Sequence, residues 1–253
     1  MHKSKLYIYI LFIISALTAQ NVVNPDTLYK SGNDAIMQEN YSIAIESYEE
    51  LLAQDYRHAD LYHNLGNAYF RLNQIGNAIW AYEKGLQLVP RDKDLKFNLS
   101  LANIRVRDRI DMPQATLFLE QYRSFKNSTT LQDIILIAAA IFMLGTFIYF
   151  LRKYYRWQSI WISRLVITLF TLSVLVHLVA LDKYFEISDT KEVIIIQNEV
   201  EIYSAPFDRR ESVLFRLHEG VKAEISKDQQ NWLEIELIDG KKGWIQSNKV
   251  RKL

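Results

Sequence analysis

Apolar and polar positions change rhythm three times along this chain, and each rhythm predicts a different kind of element. In the middle, residues 134–151 and 165–181 form two nearly unbroken apolar runs around a short basic loop, 152–164. Neither run has a polar stripe, and Thr, Ser, Gly145 and His177 are the main interruptions. At about 1.5 Å per residue, each run approaches the ~30 Å hydrocarbon thickness of a bilayer. The pair therefore predicts a membrane hairpin rather than the buried helices of a soluble core. Before it, apolar residues recur at helical spacing. From residue 192 onward they alternate with period two, in short segments parted by turn residues.

The helical part repeats. Residues 25–58 and 59–92 align at a 34-residue offset, with Gly32 on Gly66, Asn33 on Asn67, Ala44 on Ala78, Ile45 on Ile79, Tyr48 on Tyr82, Glu49 on Glu83 and Leu52 on Leu86. This period resembles the tetratricopeptide repeat. The second copy carries the pattern best, in Tyr62, Leu65, Gly66, Tyr69, Ala78, Tyr82 and Pro90. Small residues stand where paired helices approach closely, and Pro90 ends the second helix. A third helix over 94–109, with Leu95, Leu99, Ala102 and Val106 along one face, reads as a solvating cap. Such stacks bind an extended peptide or a helix on their concave face. The candidates there are Tyr29, Asn33, His63, Asn64, Asn67, Phe70, Arg71, Asn98 and Arg105. Asn side chains pair with peptide amides, and Arg71 and Arg105 could hold a carboxylate. The plainer alternative is that the Asn after each motif Gly serves local packing.

The period-two part reads as strands near 193–196, 200–203, 212–217, 221–226, 232–237 and 243–246, with Asp239-Gly240 as a hairpin turn. Short strands at this spacing make a small β-barrel. The run from Glu199 to Pro206, then Val213 to Gly220, Trp232 to Ile235, Asp239-Gly240 and Gly243-Trp244-Ile245 resembles a bacterial SH3-like domain. Its ligand candidates are Tyr203, Phe207 and Trp232, whereas Trp244 reads as barrel packing.

Charge sets the orientation. The hairpin loop carries Arg152, Lys153, Arg156 and Arg164 and no acid, and Tyr149, Tyr154, Tyr155, Trp157 and Trp161 cluster about it. The positive-inside bias places the loop in the cytoplasm and both flanking modules outside it. Lys3 and Lys5 before an apolar stretch and Ala19 read as a signal peptide over 1–19, which agrees. His177 reads most simply as a neutral imidazole near the membrane interface. Its functional reading is a proton relay or pairing with a partner's helix. The juxtamembrane segment, 111–130, fits an amphipathic helix on the membrane surface or one packed back on the repeats.

The fold class is therefore a multidomain membrane protein: an all-α tetratricopeptide solenoid over 25–110, a transmembrane helical hairpin with spans 131–151 and 165–184, and a small all-β SH3-like barrel over 192–253. Net charge is +1 in 253 residues, so no field favours nucleic acid. The chain has no Cys, which excludes disulfides, thiol nucleophiles and Cys-based metal sites. His58 and His63 lack an acid motif between them, and there is no HExxH, nucleophile elbow or phosphate-cradling Gly loop. The expectation is a non-enzyme with no metal and no cofactor.

The order of these modules, with the stretch Tyr62 to Arg71, Ala78-Ile79, Pro90-Arg91-Asp92, Phe97-Asn98-Leu99 and Asp108-Arg109-Ile110-Asp111 before Pro113, resembles the BatE-type proteins of the Bacteroides aerotolerance (Bat) system. That resemblance implies an envelope complex with von Willebrand factor A-domain membrane proteins, linked to a MoxR-type ATPase and to tolerance of oxygen or oxidative stress. It implies no biochemical activity. The expected role is an inner-membrane scaffold with periplasmic repeats and barrel. The alternative is a cell-wall receptor whose barrel binds peptidoglycan peptides.

Overall fold

The computed structural model describes residues 24–110, 117–188 and 191–253. The expected signal peptide and residues 111–116 of the juxtamembrane segment lie outside the described residues. Contacts divide the chain into one unit ending at Arg57 and another starting at His58.

The first unit holds α1 (Pro25–Met37) and α2 (Tyr41–Ala53). Pro25 opens α1, and the Asn24 side chain accepts from the Asp26 N–H, the usual chemistry of a helix start. Ala35, Ala44, Tyr48 and Leu51 bury the seam. Gly32 lies flat on the Tyr48 ring, where a Cβ would overlap ring atoms. The Tyr48 hydroxyl donates to Asn33 Oδ1 at 2.7 Å.

In the second unit, α3 (Ala59–Arg71) and α4 (Ile75–Leu88) repeat that lock: Gly66 faces the Tyr82 ring, and the Tyr82 hydroxyl donates to Asn67 Oδ1 at 2.9 Å. The 34-residue alignment thus reflects identical helix-pair packing. Helix α5 (Lys93–Arg105) starts on Asp92, whose Oδ1 accepts from the Leu95 N–H. It stops short of the expected residue 109 because Val106 turns extended. Val106 and Ile110 leave the helix to pack on the barrel core. Nor is α5 a polar cap, since Phe97, Leu101 and Ile104 are exposed on it.

Helix α6 (Leu117–Ser128) leads to α7 (Leu131–Tyr154) and α8 (Ile160–Ser188). The last two are long and apolar enough to cross a membrane, with mean hydropathies of 2.6 and 2.2. They meet along Ile134, Ala138 and Gly145 on one side and Val166, Ser173 and Ala180 on the other, so small residues let the backbones approach. Thr130 and Asp133 form a reciprocal capping box at the start of α7. Both expected homes for the juxtamembrane helix give way to a third. Tyr122 and Lys126 of α6 bind Asp182 at 2.6 and 2.8 Å, Lys126 also reaches Glu186, and Lys183 donates to the Lys126 carbonyl. The segment packs on the outer end of α8.

Seven strands follow: β1 (Glu192–Ile195), β2 (Glu199–Tyr203), β3 (Val213–His218), β4 (Lys222–Gln229), β5 (Trp232–Glu236), β6 (Lys242–Gln246) and β7 (Val250–Lys252), in the order β3-β2-β6-β5-β4-β1-β7. Every pairing is antiparallel. Val193, Ile195, Val200, Ile202, Leu217, Val221, Leu233, Ile235, Ile245 and Val250 build the core. The β5–β6 turn has Gly240 at φ +85°, as its Asp-Gly pair predicts. Gly220, also at positive φ, is no hairpin turn. Its N–H bonds the Ile195 carbonyl and sends β4 across to β1. β7 is an addition to the expected strands.

Candidate interaction sites

On α3 and α5 the residues expected to face a ligand bind each other. The amide nitrogen of Asn98 lies 2.9 Å from His63 Nε2 and 3.0 Å from Asn67 Oδ1. Asn67 Nδ2 is 3.4 Å from the same His63 nitrogen, so Nε2 accepts and the ring proton sits on Nδ1. With Tyr82 on Asn67, this is a connected, half-buried polar cluster. The Arg105 guanidinium stacks on Phe70 at 4.5 Å and reaches Asn73. Asn64 is half-buried and Arg71 exposed on the same helix. Asn33 belongs to the first unit and is bonded to Tyr48. The two motif asparagines thus fasten helix pairs, as the plainer reading has it, and the outward chemistry of α3 and α5 rests on His63, Phe70, Arg71 and Arg105.

In the barrel, Tyr203 and Trp232 meet edge to face at 5.4 Å. The Tyr203 hydroxyl donates between Glu201 and Asp208; burial and these two carboxylates push its pKa up to about 12. Trp232 lines a cleft of about 430 Å³ with Asn231, Gln246, Ser247 and Asn248. Phe207 is 44% exposed under the Arg209 guanidinium and outside that lining. Trp244 is buried, with Lys227 over its ring, as a packing residue should be.

A third constellation joins the barrel to the second repeat. In the first turn of α4 the Gly76 N–H donates to Glu219 Oε2 at 2.8 Å, so a barrel carboxylate caps a repeat helix. A Cβ on Gly76 would overlap the Ile195 carbonyl oxygen and crowd Ile196 Cα at 2.9 Å. Trp80 Nε1 donates to the Lys252 carbonyl at 2.9 Å, and the Arg251 guanidinium lies 3.3 Å from its ring centre while also bonding the Tyr69 hydroxyl. Lys222 stands between Glu192 at 2.9 Å and Glu83 at 4.0 Å. Burial pushes the Glu83 carboxyl above its ordinary range; Lys222 pulls it back and Glu192 adds to the rise. Beyond α5, Asp108 accepts from the His218 backbone N–H at 2.6 Å and from Nδ1 at 3.0 Å, while Arg107 donates to His218 Nε2.

Residues 197–252 match the model of the bacterial SH3 domain family. The strands from β2 through β7 are that match; β1 precedes it and is the strand laid against α4. No curated protein matches the chain. Two solved structures overlap it loosely. A MamA protein is 16% identical over 65% of this chain and 94% of its own, with a TM-score of 0.31. A TPR repeats protein from Bacteroides fragilis NCTC 9343 is 13% identical over 64% and 89%, with a TM-score of 0.18. The repeat assignment stands on the Gly–Tyr–Asn lock within each unit rather than on these overlaps. Among the described residues, no group of three or more His, Asp or Glu could hold a metal ion.

The contacts between second repeat and SH3-like domain were not expected from the sequence. Their signal lies in the differences between the two copies. Gly76 and Trp80 stand where the first copy has Ser42 and Glu46, and Tyr69 where it has Ala35. A solvated helix face has no use for a Trp, so that substitution marks a covered surface.

Proposed function

We propose that this chain is a non-enzymatic scaffold of a bacterial inner membrane, with its repeats and SH3-like domain both periplasmic, assembling an envelope complex tied to aerotolerance or oxidative stress. The observation that carries the reading is the joint. The barrel sits on α4 and the end of α3 through Trp80, Gly76 and Tyr69, while His63, Phe70 and Arg105 make no bond to it. One body therefore offers two separate surfaces, and contacts at both reinforce each other through effective concentration. Two long apolar helices around a loop with four cations support the membrane orientation. Von Willebrand factor A-domain membrane proteins are the partners that the Bat resemblance suggests.

The test is gentle detergent extraction from native membranes, pull-down and mass spectrometry, comparing the natural chain with Arg71→Glu combined with Arg105→Glu. Stoichiometric recovery of such partners, lost in the double variant, is the expected result. Undiminished recovery removes the α3–α5 face as the site. A cell-wall receptor is the second reading, favoured by the cleft beside Trp232. It predicts that the full chain sediments with purified sacculi and that Trp232→Ala abolishes this.

A further inference from the structure

The outer surface of the apolar hairpin carries one imidazole whose hydrogen bonding is half complete. His177 is exposed on α8 between Arg164 and Asp182, the charged residues that bound its apolar stretch. Side chains on a helix lean towards its N-terminus. His177 does so: its Nδ1 lies 2.8 Å from the Ser173 carbonyl, one turn back. A carbonyl only accepts, so Nδ1 carries the proton. The ring therefore leans away from the Asp182 end and towards Ser173, which stands about 13 Å along the helix axis from either charged end at ~1.5 Å per residue. An interfacial imidazole would lean the other way. The buried Ser173 hydroxyl in turn donates to the Ala138 carbonyl across the helix pair. Among the described residues, His177 Nε2 has no hydrogen-bond partner.

A bare acceptor in hydrocarbon is costly, and a charged imidazole there costs far more. The low-cost arrangement is a neutral ring whose Nε2 accepts from something outside this chain. Resting on the membrane reading above, we propose that His177 is the docking point for a transmembrane helix of another protein that brings a hydroxyl, amide or indole N–H donor to Nε2. A second copy of this chain does not fit. Its His177 commits the ring proton to Ser173 in the same way, and two bare acceptors would meet. Val174 and Leu181, both exposed and one turn to either side, supply apolar contact around the polar point.

The experiment places a photo-crosslinking residue at Val174 or Leu181 of the full chain in native membranes, with exposed Leu175 on the opposite side of α8 as the control position. The expected adduct is with an apolar span of a different protein, linked within one helical turn of Ser, Thr, Tyr, Trp, Asn or Gln. Its yield falls about fivefold in His177→Leu and returns in His177→Gln, whose amide oxygen accepts. Equal yield in His177→Leu, dimers of this chain, or adducts with lipid alone overturn the proposal. Alkaline extraction of the same membranes separates the two levels. A chain released by the wash refutes the membrane reading itself, whereas a retained chain without His177-dependent adducts refutes only the docking.

Discussion

Gly76→Ala is the sharpest test of the joint between repeat and barrel, because the added carbon has nowhere to go. It would overlap the Ile195 carbonyl oxygen and press on Ile196 Cα and the Gly220 nitrogen, all of them backbone. No rotamer relieves a backbone clash, so β1 must retreat from α4 by roughly 0.5–1 Å, enough to forfeit a quarter to a half of each contact's attraction. The Trp80 to Lys252 bond and the Arg251 stack lie on the same face and move with it. Overpacking of this kind costs about 1–3 kcal/mol, or roughly 5- to 150-fold in the ratio of docked to undocked barrel. Alanine is itself a better helix former than glycine, by about 1 kcal/mol, so destabilisation would report the clash and not the helix. The assay is hydrogen exchange of the full chain in detergent, read by mass spectrometry. Segments 75–83, 192–196 and 249–253 should gain exchange, while the β5–β6 hairpin keeps its protection. Gly240→Ala is the control: its Cβ meets nothing within 4 Å, so its strain is local to a turn at φ +85°. Unchanged exchange at 75–83 and 192–196 in Gly76→Ala would refute the docked arrangement.

Arg251→Met should loosen the same face by about 1–2 kcal/mol, since it removes a cation stacked on Trp80 and the bond to Tyr69; a thermal midpoint equal to the natural chain's would count against the stack. Asp108→Ala strands the His218 N–H and ring donor and should cost about 1–3 kcal/mol, seen as faster exchange at 106–110 and 216–220. Glu83 gives a pH dependence. Its folded pKa is raised, so its preference for the folded state is full below the ordinary glutamate value of about 4.3 and is lost as pH rises through the folded value. Relative to Glu83→Gln, the natural chain should lose thermal stability as pH climbs across that window; a relative gain would show the sign to be wrong.

The features read directly from the sequence were those set by one segment's own pattern. Hydropathy alone marks α7 and α8, although α8 runs on to Ser188 because its polar last turn is held by Lys126 and Tyr122, residues of a different segment. Gly32 and Gly66 announced close helix pairs, and Asp239-Gly240 announced a hairpin. What escaped depended on contacts distant in sequence. Helix α5 ends at Arg105 not through any stop signal but because Val106 finds the barrel core more than eighty residues on. The three-residue β7 exists only by pairing with β1. Among the site candidates, the residue types were right for polar recognition, yet Asn67 and Asn98 are spent on one another, which spacing alone does not disclose.

The joint also decides how the hairpin and the body from His58 onward are connected. The end of α8 and the start of β1 are four residues apart, and β1 is the strand pressed on α4. Arg91, at the end of the second repeat, pairs with Asp133 in the capping box of α7, while α6 is clamped on the outer end of α8. Each helix of the hairpin is therefore tied to the folded body by its own polar contact in addition to the chain. A flexible tether would let the repeat and barrel reorient freely above a membrane; three attachments to two helices restrict them to a few arrangements. Pre-set orientation lowers the ordering cost of assembling with a neighbour fixed in the same membrane. Two surfaces held at one separation would then select partners by spacing as well as by chemistry. A scaffold has use for that restriction, whereas a receptor sampling a disordered wall polymer gains more from a loose tether.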